Sequence, residues 1–357
     1  MKKGFLRKSI FIFTMIFTAF SGFAYNQTAN GNSIFEFTSP RLISSASSVA
    51  GGGLKGITSS SIVLNPALIA GEQRWTLDLD YSAFIGTSTE TSYGQGMQLG
   101  MIMPSRFGVS SVVLQGILLD KTRELPLGNV FSIHTAFAKD ITDELYLGVG
   151  LYGGFGEDWA LAGDIGFWYN IKQIKWLPFL KDARWAVSVT GLGKSFEKEI
   201  LALNGEATSD YPMPFTPRVG VAGNLFDVKN FSGGMSVDFS FPTFQNVVFN
   251  AGLEFNIANI IRISTGWKAD LREILAEQAS LIPTAGISVK FNFSSKEDSF
   301  LAKKGWQKSE AEVSTAYKYF NNDLHLASGG ITLRLGQKDT VAPEIILWEE
   351  NWKVTLK

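Results

Sequence analysis

The chain has 357 residues with 33 acids and 32 bases, a formal charge of −1, and that balance leaves no basic footprint for a nucleic-acid partner. It has no cysteine, which excludes disulfides, thiolate metal sites and cysteine nucleophiles, and its two histidines leave little for a histidine metal centre or proton relay. Phenylalanine reaches 28 and glycine 36, while charged residues are only 18%, below the roughly 25% of an average soluble domain.

Residues 1–24 read as an export signal. Lys2, Lys3, Arg7 and Lys8 precede an apolar run from Ile10 to Phe20, and Gly22 and Ala24 form a small-x-small cleavage site. The apolar run is too short for a membrane-spanning helix, which needs roughly 20 residues. Removal of four bases and no acid would leave 28 bases and 33 acids, a charge of −5. No later stretch offers an apolar run of spanning length, so a membrane would have to be crossed by strands.

Residues 25–74 lack a strand period. They carry Ser44-Ser45-Ala46-Ser47-Ser48, Gly51-Gly52-Gly53-Leu54-Lys55-Gly56 and Asn65-Pro66-Ala67. Small residues suit packing in a confined space. Pro66 fits a first helical position with Asn65 as its cap. About fifty residues is a suitable amount of chain for a plug inside a barrel; a disordered leader is the alternative.

From Trp75 onward the period is 2. Trp75, Leu77, Leu79 and Tyr81 alternate with Thr76, Asp78, Asp80 and Ser82. Leu145–Phe155 sets Leu147, Val149, Leu151 and Phe155 against a face that is nearly all glycine. Phe231–Phe241, Val247–Ile257 and Ile261–Ala269 repeat the alternation. Further segments begin near residues 96, 106, 130, 159, 184, 215, 281, 309 and 325, giving about fourteen strands in all. A soluble sandwich would turn the apolar face inward and a membrane barrel would turn it outward. Three features favour the barrel: strands of about 9–11 residues, against about 5–6 in soluble sheets; aromatics at strand ends; and an even strand number that closes the sheet. Trp75, Phe84, Trp159, Trp168, Tyr169, Trp185, Trp267, Tyr319 and Phe320 are expected in interfacial girdles. With an exported N-terminus, tight periplasmic turns are expected at Pro104-Ser105, Asp140–Asp143, Asp227–Lys229 and Ala258. Longer outer loops are expected at Ile117–Asn129, Lys194–Pro214 and Asp270–Ser280, the last with helical spacing.

A glycine- and serine-rich leader, an NPA tripeptide at Asn65, Pro66 and Ala67 about ten residues before the first strand, and then fourteen strands resemble the FadL-type long-chain fatty-acid transporters of bacterial outer membranes. The chain looks most similar to the spirochaete FadL-like proteins. The resemblance spans roughly residues 40–336. It implies an all-β fold: a 14-stranded antiparallel transmembrane β-barrel (75–336) with an N-terminal, partly helical hatch (25–74) inside the lumen and a periplasmic tail (337–357). It also implies hydrophobic ligands, fatty acids foremost, bound inside the barrel; outer-membrane lipid and the barrel-assembly machinery are further expected partners of a monomer. The pattern departs at the end of the chain. Barrels of this kind usually end on an aromatic residue at the last strand, whereas here the tail Gly336–Lys357 follows Leu333-Arg334-Leu335.

Motifs of covalent chemistry dissolve on inspection. Gly148-Val149-Gly150-Leu151-Tyr152-Gly153 matches a dinucleotide fingerprint but lies inside a strand rather than between strand and helix. Gly51–Gly56 lacks the Lys-Ser/Thr of a phosphate loop. His134, on an inward face, and His325, near an outer loop, have no companion ligand or nucleophile, so no catalytic residue, metal or cofactor is expected. The inward charges Asp78, Asp80, Asp164, Arg218, Asp238, Glu254, Arg262, Lys268 and Lys290 carry both signs, and their default role is pairing across the lumen. The sharper reading is that Arg218, Arg262, Lys268 or Lys290 holds a ligand carboxylate. In Arg106–Gly116 the phase is interrupted at Ser110 and Ser111, where a bulge would break the ladder; the family resemblance makes this kink a candidate lateral exit. The function expected is an outer-membrane channel for hydrophobic molecules. A binding or scaffold partner of secreted proteins, discriminated by the tail, is the alternative, and a membrane hydrolase lacks any defensible constellation.

Overall fold

The computed structural model describes residues 30–45, 48–86, 93–119, 128–156, 158–173, 180–196, 200–201, 207–208, 215–296, 299–320 and 324–336. The signal segment, the tail and most of the connection 194–214 lie outside them.

The strands are β1 (Trp75–Gly86), β2 (Gly94–Ser105), β3 (Gly108–Leu119), β4 (Val130–Asp140), β5 (Leu145–Phe155), β6 (Trp159–Gln173), β7 (Lys181–Lys194), a short ribbon β8 (Ile200–Leu201) and β9 (Ala207–Thr208), β10 (Thr216–Val228), β11 (Phe231–Ser240), β12 (Val248–Ile257), β13 (Ile261–Asp270), β14 (Thr284–Ser294), β15 (Lys308–Tyr319) and β16 (Leu324–Leu335). All but the ribbon form one closed sheet of fourteen antiparallel strands in which β16 returns to pair with β1, Trp75 opposite Leu335 and Gly86 opposite Leu324. Closure gives every barrel strand a neighbour on both sides, so no sheet edge is left open. The rim holding Trp75 and Leu335 is the terminal rim; the other is the opposite rim.

Alternation decides which way each side chain faces. Along β1 the even positions from Thr76 to Gly86 are buried, and Leu79, with 62% exposure, stands outside. Leu99, Val149, Leu151, Ile165 and Val221 are likewise exposed, so the exterior carries an apolar belt. No helix among the described residues is long and apolar enough to cross a membrane.

The described residues between 30 and 74 fill the lumen through short helical turns at Gly31–Glu36, Pro40–Ser44, Ser59–Val63 and Pro66–Gly71. Two apolar cores form where this hatch meets the wall. Ile34, Phe35, Phe37 and Ile43 pack with Phe84, Leu119, Val130, Phe320 and Leu324 towards the opposite rim. Val49, Ala50, Ile57, Ile62 and Leu68 pack with Ile102, Val113, Ala138 and Trp168 towards the terminal rim. These inner cores correct part of the girdle expectation: Phe84, Trp168 and Phe320 are buried inward, whereas Trp159, Trp185 and Trp267 are exposed. An aromatic at a strand end faces the outside of the barrel or the hatch according to its parity.

The turn expected at Pro104-Ser105 sits slightly later. β2 continues through both residues and the chain reverses at Arg106 and Phe107. The ladder also runs unbroken through Ser110 and Ser111 on both flanks, which removes the expected kink. The phase looked interrupted because Val109, Val113 and Ile117 are apolar yet point inward, into the two hatch cores. Register shifts lie elsewhere, between Gly163 and Ile165 in β6 and around Ala222–Phe226 in β10. The helical spacing after β13 forms a helix at Leu271–Leu275.

Candidate functional site

The short turns of the hatch satisfy only part of its backbone, so the remaining buried polar groups need partners outside it. Side chains on the wall supply them. Asp78 accepts from the Ser59 N–H at 2.7 Å and Glu254 from the Leu54 N–H at 2.7 Å. Asp238 accepts from the Val49 N–H and from the Ser48 hydroxyl. Arg184 donates to the carbonyls of Ala50 and Gly52, Ser188 to that of Leu64 and Ser82 to that of Phe37. Gln115 donates to the Phe35 carbonyl, to Thr38 and to Gln98.

Asn65, Pro66 and Ala67 dock on a slot cut in β5 and β6. The Asn65 Oδ1 accepts from the Ala67 N–H at 2.9 Å and caps the turn that Pro66 begins. Its amide nitrogen donates to the carbonyls of Val49 and Phe167 at 3.1 and 3.2 Å, tying hatch to hatch and hatch to wall. Gly148 and Gly166 face each other across the β5–β6 ladder. A Cβ at Gly148 would collide with the Pro66–Ala67 backbone, and one at Gly166 with the Asn65 amide oxygen. The glycine face of β5 is therefore a seat for the tripeptide. Both halves were visible in the sequence; what it lacked was the link between them.

Ionic braces run between hatch and wall. Arg41 bridges Glu254 at 3.2 Å and Glu312 at 3.3 Å, and Glu312 also meets Arg334 at 2.8 Å. Near the terminal rim Arg74 pairs with Glu72 and Glu310, both at 2.8 Å, and Arg334 reaches Glu72 at 3.5 Å. Burial works against the Arg74 cation, but Glu72 and Glu310 outweigh it and raise its pKa above the usual value.

The four cations named from sequence separate. Arg262 lies 3.8 Å from Glu254, within the Arg41 cluster. Lys290 stands opposite Glu312 in the β14–β15 register. Arg218 and Lys268 come together: both approach the hatch carboxylate of Glu36, at 3.5 and 3.9 Å. Lys318 lines the same small cavity as Glu36, Lys268, Asn250 and Thr284, about 20 Å³, room for a single water. Its ammonium sits 4.9 Å from the ring centres of both Phe37 and Phe320. The sequence reading missed Glu36, Arg41 and Lys318: the first two precede the strand region, and Lys318 lies near the end of β15, where the alternation was not followed.

His134 is buried between Phe35 and Tyr152, stacked on the tyrosine at 4.9 Å. His325 shares a 2.7 Å hydrogen bond with the Tyr317 hydroxyl. Among the described residues no group of three His, Cys, Asp or Glu could hold a metal ion.

Above the cavity, the Glu273 carboxylate on the helix after β13 accepts from the Asn30 N–H at 2.8 Å. Burial, and then the nearby Asp270 carboxylate, push Glu273 up to about 7, against the opposing pull of Lys268, Asn30 and Lys318. At the opposite rim an apolar groove of about 770 Å³ is lined by Met97, Leu118, Leu119, Val130, Phe131 and Phe155 among others.

No family model matches the chain, and no curated protein matches it. Among solved structures the chain is similar to the CymD monoaromatic hydrocarbon channel, at 11% identity and a TM-score of 0.47, over 82% of this chain and 98% of that one. It is similar to the Pseudomonas putida toluene transporter TodX at 10% identity and a TM-score of 0.49, over 87% and 98%. It is also similar to the NanC porin, at 9% identity and a TM-score of 0.35, over 73% and 100%. The architecture rests on the closed strand order itself.

Proposed function

We propose that the chain is an outer-membrane channel of the FadL-like kind that admits hydrophobic molecules, long-chain fatty acids foremost. They bind in the lumen and pass when the hatch shifts. The observation that carries this reading is a contrast between two surfaces. The exterior is an apolar belt suited to hydrocarbon, where each large side chain removed from water is worth about 1.5–3 kcal/mol. The lumen is closed by a segment held by two apolar cores and by many hydrogen bonds and ion pairs, the latter of which water or a ligand head group can replace.

The apolar groove at the opposite rim gives a poorly soluble molecule a first resting place. Behind it, the aromatic cluster of Phe35, Phe37, Phe84 and Phe320 offers apolar contact inside the wall, beside the cations Arg218, Lys268 and Lys318. In this reading both ends of the mature chain are periplasmic and the protein works as a monomer. Asn65, Pro66 and Ala67 belong to the moving part.

The test is saturable binding of palmitate by the detergent-purified protein, and uptake of labelled palmitate by cells carrying it. Saturation in both is expected. Absence of saturable binding for acyl chains of every length overturns the reading.

A further inference from the structure

The segment Ile34-Phe35-Glu36-Phe37 places one carboxylate among large apolar side chains, all of them buried in the lumen. That is the chemistry of a fatty acid: an anionic head and a hydrocarbon body. Arg218 and Lys268, which both approach Glu36, belong to the wall. The other hatch carboxylate differs, because Glu72 is held by Arg74 of its own segment as well as by Arg334.

The Glu36 contacts to Arg218 and Lys268, at 3.5 and 3.9 Å, are longer than the 2.8 Å of Arg74–Glu310 and Arg334–Glu312 and no shorter than the 3.5 Å of Arg334–Glu72. Arg218 is 6% exposed, and its buried Nε has no hydrogen-bond partner. A guanidinium presents Nε and Nη as a fork that a free carboxylate can take with two parallel bonds. Glu36, tethered to the hatch, approaches Arg218 at Nη1, at 3.5 Å. The site therefore brings two wall cations to one hatch carboxylate and leaves the Arg218 Nε donor unused.

We infer that Glu36 is a resident stand-in for the ligand: the hatch closes the lumen by lending its own carboxylate to Arg218 and Lys268 beside Lys318, and an anionic amphiphile opens it by taking that place. This rests on the lumenal binding proposed above and adds to it a competition between ligand and hatch. The head group decides the competition, because a neutral amphiphile of the same length cannot replace Glu36 on the cations. Phe35 and Phe37 leave with Glu36 and vacate apolar space for the acyl chain.

The experiment compares palmitate and hexadecanol binding to the full chain in detergent, for the native sequence, Glu36→Gln and Glu254→Gln, with hydrogen exchange of residues 34–45 followed in parallel. Glu36→Gln keeps the shape and removes the competing charge, so palmitate binding tightens at least tenfold while hexadecanol binding stays within twofold. Palmitate speeds exchange at 34–45 in the native chain. Glu254→Gln cuts a brace in which the hatch supplies the cation Arg41, so it loosens the hatch without tightening palmitate. If Glu36→Gln does not fold, Glu36→Asp, one methylene shorter, carries the test with a smaller shift in the same direction. Palmitate affinity unchanged by the substitution overturns the inference, and so does equal tightening of acid and alcohol, or equal tightening in Glu254→Gln. Binding of neither probe by any variant overturns the lumenal reading itself and this inference with it.

Discussion

The Asn65 side-chain oxygen occupies the space that any side chain at Gly166 would need. Gly148, its cross-ladder partner, leaves the same room for the Pro66–Ala67 backbone. The hatch can lie this close to the wall only because these two positions lack a Cβ.

Gly166→Leu should therefore lift the NPA turn from its seat. Overpacking of this kind costs roughly 1–3 kcal/mol. Hydrogen exchange at residues 65–71 is expected to accelerate while exchange in the barrel strands stays the same. Unchanged protection of 65–71 would mean that the seat is not what holds the turn.

Asn65→Ala removes the cap on Ala67 and the two bonds to Val49 and Phe167. Loss of a cap costs about 1 kcal/mol, and unpaired buried carbonyls add about 1–3 kcal/mol. Asn65→Asp keeps the cap but turns a carboxylate towards those two carbonyls, and should cost more. The thermal midpoints are expected to fall in the order native, Ala, Asp.

The barrel was legible because alternation is a local signal: Leu77, Leu79 and Tyr81 stand outside and Thr76, Asp78 and Asp80 inside, as period 2 requires. The hatch was legible as a segment and not as a set of contacts. Its partners lie far along the chain, as Arg41 does from Glu312 and Asn65 from Phe167, and no spacing rule links them. Parity also misled where the lumen is greasy. Phe84 and Trp168 look like girdle residues, and Val113 looks out of phase, until the hatch is there to receive them. Pairing of the inward charges was foreseeable from their mixed signs. That Arg218 and Lys268 would meet on one hatch acid was not.

Ion pairs in this protein should differ in worth by position. Glu312 is buried between Arg41 and Arg334. Glu312→Gln leaves both cations short of a partner, and breaking a buried pair costs about 3–5 kcal/mol. Asp182, exposed and 3.9 Å from Lys55, should lose no more than about 1 kcal/mol on change to Asn. Denaturant unfolding of the two variants side by side measures the gap; equal losses would contradict the placement of Glu312 in a brace.

Acidity should tighten the contact between the outer helix and the start of the hatch. Glu273 has an ordinary value of 4.5 and is raised to about 7 when folded, by burial and by Asp270, with Lys268, Lys318 and the Asn30 N–H facing it from the other side. The folded chain thus binds more protons than the unfolded one between these values. The stabilising contribution is complete below 4.5 and is lost as pH rises through about 7. Protection of residues 30–36 and 271–275 should fall across that window. Glu273→Gln should flatten the fall, and a slope that survives the substitution would assign it to another group.

The hatch as a movable plug is tested most directly by locking it. The chain has no cysteine of its own, and a Cβ at Gly96 would lie 3.3 Å from the Thr38 methyl, so Thr38→Cys with Gly96→Cys can join hatch to wall through one disulfide. Whole-cell uptake of labelled palmitate is then measured with the pair oxidised and again after reduction. Uptake that stops on oxidation and returns on reduction is the predicted result; uptake at the same rate in both states would show that nothing needs to move.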